Sequence, residues 1–222
     1  MAAGAVLALA CGAGRAPAGE KKQQPSLEHK VKAGFLYNFV KFVEWPKGAF
    51  KDGKNGKGEK GEKIKAPLVI GVAGKNPFRG VLAALAAGKN AGGRPITVKN
   101  LEIKYRKRKP PEPGEKRDEP EAGSEPELAE EFVTDLKKCH VLFIPATESS
   151  HRDRILAAVR NSAVLTVGEE TGFARKGGVV NFYLRRRKVR FEMNPEEARR
   201  RKLKISSRLL RLARIVKSRK RD

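Results

Sequence analysis

The sequence predicts an α/β fold in three layers: a mostly parallel sheet flanked by helices, completed by a C-terminal antiparallel hairpin and a final helix. Two patterns carry that expectation. Apolar runs of strand length at Leu68–Ala73 (LVIGVA), 95–103, 139–144 (CHVLFI) and 164–167 (VLTV) alternate with segments of helical spacing. Such a βαβ rhythm is satisfied by parallel strands joined through right-handed crossovers, with helices on both faces. The first run is apolar throughout, as a strand buried on both faces must be. Near the C terminus, 179–184 and 188–193 are separated only by Arg185, Arg186 and Arg187, which reads as a hairpin on the sheet's edge.

Each element has a local reason. Residues 26–45 follow Pro25 and place Leu27, Val31, Phe35, Phe39 and Phe42 three or four apart, one apolar helical stripe with Ser26 as its N-cap and Pro46 as its stop. Residues 47–65 are rich in Lys and Gly without periodicity and read as a solvated loop. Asn76-Pro77 caps and opens a helix to about Ala87, and a further helix covers 150–160. Residues 104–127 begin with Lys104, Arg106, Lys107, Arg108 and Lys109, then turn rich in Pro and Glu. Such a segment has little to bury and is expected as a disordered insertion or a surface excursion. A final helix opens at Asn194-Pro195 and presents Ile205, Leu209, Leu212 and Val216 on one face.

The 222 residues suit one domain, 26–217, with appendages. Residues 1–18 (MAAGAVLALACGAGRAPA) are small and apolar, with Ala-x-Ala patterns ending at Ala10 and Ala18. They read as a secretory leader lacking its positive leading segment, followed by a linker over 19–25. Cys11 offers an acylation site, although Ala8 stands where Leu is more usual; the alternative is an Ala/Gly-rich terminus on a cytoplasmic protein. If the leader is removed, Cys139 is left as a single thiol, so an internal disulfide is not expected.

The formal net charge is +24, and residues 199–222 hold 12 basic residues against 1 acidic one. Such a field attracts anionic lipid, acidic wall polymer or nucleic acid. Arg199, Arg200, Arg201, Lys217, Arg219, Lys220 and Arg221 are the expected contacts to an anionic surface, with a solvated helix face as the plain alternative. No nucleic-acid recognition motif accompanies the charge, which ranks that partner lower.

Catalytic motifs do not emerge. Gly71 to Asn76 lies where a phosphate-cradling loop would, but fits neither the Walker A spacing nor a dinucleotide fingerprint. His29, His140 and His151 show no metal-ligand spacing with one another or with Cys139, so neither a metal nor a cofactor is expected. Open α/β sheets bind ligands at the carboxyl ends of their strands. That topology nominates Asn76, Thr147, Glu148, Ser149 and Glu169 as a ligand-binding set. Tyr37, off the stripe, and Trp45, at the helix end, are candidates for partner contact.

Several stretches resemble the YfiR/HmsC-like family. They are VKAGFLYNF at 31–39 with FVEWP at 42–46, LVIGV at 68–72, Asn76-Pro77-Phe78, CHVLFI at 139–144 and VLTVG at 164–168. Gly172-Phe173, Gly177-Gly178, Asn181-Phe182 and ISSRLL at 205–210 follow in the expected order. The resemblance implies an exported, periplasmic protein without catalytic activity. In the best-known members it represses a membrane-bound diguanylate cyclase through that partner's external domain, lowering cyclic di-GMP and restraining biofilm formation. Homodimerisation is compatible with this reading. Three features depart from the pattern: the 104–127 insertion, the high charge, and an unpaired Cys139 where the best-known members carry disulfides.

Overall fold

The protein is described from a computed structural model covering residues 25–50, 65–106 and 126–218. In chain order the helices are α1 (Leu27–Phe42), α2 (Val81–Ala86), α3 (Glu130–Lys137), α4 (Arg152–Ala158), α5 (Pro195–Arg200) and α6 (Ser207–Leu212). The strands are β1 (Val43–Glu44), β2 (Leu68–Ala73), β3 (Asn90–Ala91), β4 (Arg94–Leu101), β5 (Val141–Ile144), β6 (Leu165–Gly168), β7 (Val180–Arg185), β8 (Lys188–Met193), β9 (Lys204–Ile205) and β10 (Arg214–Ile215).

Among the described residues the main sheet has eight strands in the order β10-β8-β7-β6-β5-β2-β4-β3. The five central strands, from β7 to β4, pair in parallel. The β7–β8 hairpin pairs antiparallel, β10 lies parallel on β8, and the short β3 pairs antiparallel with β4 at the other edge. The chain leaves β2 toward β4 and then crosses back to β5, so β2 and β5 flank the topological switch point.

Every residue of β2 is buried, and its pleat divides them between two cores. Ile70 and Val72 face a core built with Leu36 and Phe39 of α1, Phe78, Leu82 of α2, Phe182 and Phe191. Val69 and Ala73 face the other, with Phe132 and Leu136 of α3 and Ile155 of α4. The three-layer expectation therefore holds, because a strand apolar throughout must be covered on both sides.

Four local expectations are corrected. Helix α1 starts on its Ser26 cap as anticipated, the Ser26 hydroxyl accepting from the His29 N–H. It ends at Phe42 rather than 45, and Val43–Glu44 pairs antiparallel with β9 instead; Pro46 already disfavours helix in the residue before it. The apolar stripe is also displaced: Leu27 is 77% and Val31 40% exposed, while Lys32, Ala33, Leu36, Phe39 and Val40 are buried. Helix α2 is shorter than 76–87. Asn76 Oδ1 accepts from the Phe78 N–H, capping a turn, and the left-handed Arg79 (φ 47°) and Gly80 (φ 87°) delay the helix to Val81. The final helix is two: α5, capped by Asn194 as foreseen, stops before the left-handed Lys202 (φ 59°), and α6 starts on a new cap, Ser206. Ile205 thus lies in β9, Val216 follows β10, and Leu212 is 68% exposed, so the four share no helical face.

Helix α3 escapes sequence reading because few of its positions are apolar; only Phe132 and Leu136 are buried. The start of the 104–127 segment is ordered, with Tyr105 bridging antiparallel to Leu128. The leader with Cys11, the 51–64 part of the Lys/Gly loop, residues 107–125 and the tail with Arg219, Lys220 and Arg221 lie outside the described residues.

Candidate functional site

The carboxyl ends of β2, β5 and β6 bring Glu148 and Glu169 to the same end of the sheet, each held by a backbone N–H. After β2 the chain turns through Gly74 at φ +69°, and the Lys75 N–H points to Glu148 Oε1 at 3.0 Å. A Cβ at Gly74 would stand 2.3 Å from the Glu148 carboxyl carbon, so glycine serves both the turn and the close approach. At the switch point, where an anionic ligand would meet a free N–H, the protein's own carboxylate sits. Glu148 also receives the Thr147 hydroxyl at 3.4 Å and has His151 Nε2 at 3.9 Å.

Glu169 faces the other way. Its Oε1 accepts from the Ala146 N–H at 3.0 Å and its Oε2 from Lys32 Nζ at 2.6 Å. Lys32, one turn along α1 from Glu28, is also bonded to that carboxylate and is only 5% exposed. Burial alone would lower the Lys32 pKa, but the two carboxylates outweigh it and hold the ammonium above its ordinary range. This clamp ties the first turns of α1 to the end of β6.

Beside the clamp opens a cleft of about 510 Å³. Glu28, Lys32, Glu169, Arg175, Tyr183 and Arg214 are among the residues that line it. Asn181, 2% exposed, also lines it. The Asn181 amide donates to Glu192 Oε1 at 3.2 Å and Arg214 bonds Glu192 Oε2 at 2.5 Å, while Asn181 Oδ1 has no hydrogen-bond partner among the described residues. The Oδ1 atom is itself buried, so it is not open to the cleft as the structure stands.

The other nominated residues sit as follows. Asn76 is tied within its loop, donating to Asn100 Oδ1 at 2.6 Å; Thr147 and Ser149 are solvent-exposed. Tyr37 is half-buried against the α1 core with the Lys41 ammonium 4.3 Å from its ring centroid. The Trp45 indole N–H donates to the His140 carbonyl at 3.2 Å, and its ring meets the imidazole edge-on. His140 is buried and stacked on Phe50. Burial, then the charge of Arg94, pushes its pKa down to about 4, so it is neutral at physiological pH. Arg199 and Lys217 are exposed, and Arg200 pairs with Glu197. Arg201 is withdrawn from any surface role: it is 2% exposed, bonded to Glu197 and to the Val159 and Gly177 carbonyls. A guanidinium with its donors spent on buried acceptors serves the packing of α5.

Cys139 is a buried free thiol donating to the Asp135 carbonyl at 3.4 Å. Burial raises its pKa to about 12, which leaves it unreactive. Among the described residues no group of His, Cys, Asp and Glu could hold a metal, and no helix is long and apolar enough to cross a membrane.

The family comparison decides the assignment. The model of the YfiR/HmsC-like family matches residues 29–110 and 116–214, a span from the start of α1 through the C-terminal hairpin and α6 to β10. The chain belongs to the YfiR/HmsC-like family. No curated protein matches the chain. As a YfiR/HmsC-like protein it shares a regulatory rather than catalytic family theme, with cyclic di-GMP signalling as its setting.

Sequence reading missed Lys32, Glu28, Asn181, Glu192 and Arg214. The Glu28–Lys32 pair did leave a signal, an acid four residues before a base on a helix. Glu169 lies 137 positions from Lys32, and no local pattern reports such a contact.

Proposed function

We propose that the protein is an exported regulator that holds a membrane-bound signalling partner, a diguanylate cyclase, in its inactive arrangement by binding that partner's external domain. The family match over 29–214 carries this reading. The candidate site supports it: Glu148 and Glu169, the carboxylates nearest the switch point, already have internal partners. Repression by binding requires only a higher affinity for the partner's inactive state than for its active one.

Cross-linking in intact cells tests this. The expected adduct is a membrane protein with an external sensor domain and a cytoplasmic diguanylate cyclase domain; adducts confined to cytosolic proteins or nucleic acid would refute the reading.

A second reading, a small-molecule site that tunes this binding, is favoured by the cleft of about 510 Å³ that Lys32, Asn181 and Arg214 line. Thermal-shift screening of small polar metabolites tests it. Stabilisation that disappears in Asn181→Leu is expected, and a hit unaffected by that change places the ligand elsewhere.

A further inference from the structure

The β7–β8 hairpin carries charge that nothing in the fold uses. Residues paired across an antiparallel ladder share a face, and so do residues two apart on one strand. The pairs Phe182↔Phe191 and Leu184↔Val189 therefore face the α1 core, and the pairs Asn181↔Glu192, Tyr183↔Arg190 and Arg185↔Lys188 face away from it. Phe182 and Phe191 are buried, whereas Arg185, Lys188 and Arg190 are exposed on the outward face. Arg186 and Arg187 form the turn. None of these five cations has an ion-pair partner among the described residues, and the one acid on that face, Glu192, is 2% exposed and already bonded to Arg214.

The turn adds an independent observation. Arg186 and Arg187 both sit at positive φ, 49° and 60°, as a two-residue hairpin turn of the primed type requires. Asn-Gly meets that demand without strain; two arginines do not. A strained turn that places two guanidinium groups at the apex is a hypothesis of function. Leu184, 55% exposed, lies on the opposite face, toward α1, and takes no part in this patch.

We propose that the hairpin docks on an anionic lipid bilayer. Charge complementarity selects an anionic surface, which the outward Arg185, Lys188 and Arg190 and the turn's Arg186 and Arg187 would meet together. Nucleic acid fits less well, because Tyr183, the aromatic side chain on that face, is half-buried with the Arg214 guanidinium 4.5 Å from its centroid and is not open for a base to stack. The choice of a bilayer rests on the exported-regulator reading, but the binding is measurable without any signalling partner.

The test is co-sedimentation of the full chain with phosphatidylcholine vesicles, with and without phosphatidylglycerol. One variant carries Arg185→Gln, Arg186→Asn, Arg187→Gly and Arg190→Gln, with Asn-Gly matching the turn's geometry so that folding is retained. The control removes four charges elsewhere, through Lys89→Gln, Lys99→Gln, Lys137→Gln and Arg160→Gln, all at exposed positions. Each basic residue near an anionic surface is worth roughly fivefold, so the hairpin variant should lose at least about tenfold in partition to anionic vesicles and the control less than about threefold. Equal losses in the two variants, no binding of the unmodified chain, or oligonucleotides bound more tightly than vesicles would each overturn the proposal. The assay contains no cyclase, so its failure leaves the regulator reading standing, and the converse also holds.

Discussion

Lys32 and His140 both tie folding to pH, and in opposite directions. Lys32 has its folded pKa raised above the ordinary 10.5. Its clamp therefore contributes fully below that pH and is lost as the pH climbs through the still higher folded value. Lys32→Met should cost about 3 kcal/mol in urea unfolding at pH 7, since it strands Glu169 beside Glu28; an unchanged midpoint would show that the clamp is idle. His140 runs the other way. Its pKa is about 4 in the folded protein against 6.5 when exposed, so the unfolded chain binds the extra proton between those values. Stability should fall by about 2–3 kcal/mol as pH drops from 6.5 to 4, and His140→Gln should flatten that slope. A slope unaltered by the substitution would assign the acid sensitivity to other groups. Neither role is visible in the sequence. His140 opens an apolar strand and is easily read as a strand-end residue; its neutrality comes from Phe50, Trp45 and Arg94, brought in by distant segments.

At the scale of elements, legibility tracks how local the cause is. Caps are local: Ser26 and Asn194 do what their side chains predict. The apolar run of β2 is local as well, and its bounds came out unchanged. The continuous C-terminal helix did not, because its break depends on a left-handed Lys202 and on β9 pairing with β1, and neither writes a turn signal into the sequence. The hairpin is intermediate: its strands are plain, while the conformation of Arg186-Arg187 is not. Replacing the pair by Asn-Gly should raise stability by about 1–2 kcal/mol, read as a higher denaturation midpoint. A loss of stability would mean that the two arginines make contacts that favour the fold.

For the whole molecule, the alternation of strands and helices was enough to give a largely parallel sheet covered on both faces, though not its strand order, and the resemblance was legible because short motifs follow one another from α1 to α6. The site was legible only in outline. Topology placed Glu148 and Glu169 at the strand ends, but their partners, the Lys75 N–H, the Ala146 N–H and Lys32, follow from how loops and α1 settle over the sheet. The charge divides in the same way: Arg201 is spent inside the fold, while the hairpin cations remain outside it. The central claim, that this chain restrains a diguanylate cyclase from outside the membrane, is tested most directly by measuring cyclic di-GMP in cells that lack the protein, then in the same cells given back the full chain or a version starting at residue 19. Cyclic di-GMP should rise severalfold on loss and return to its starting level with the full chain alone. A level that never changes, or one restored equally by the leaderless version, would contradict the account.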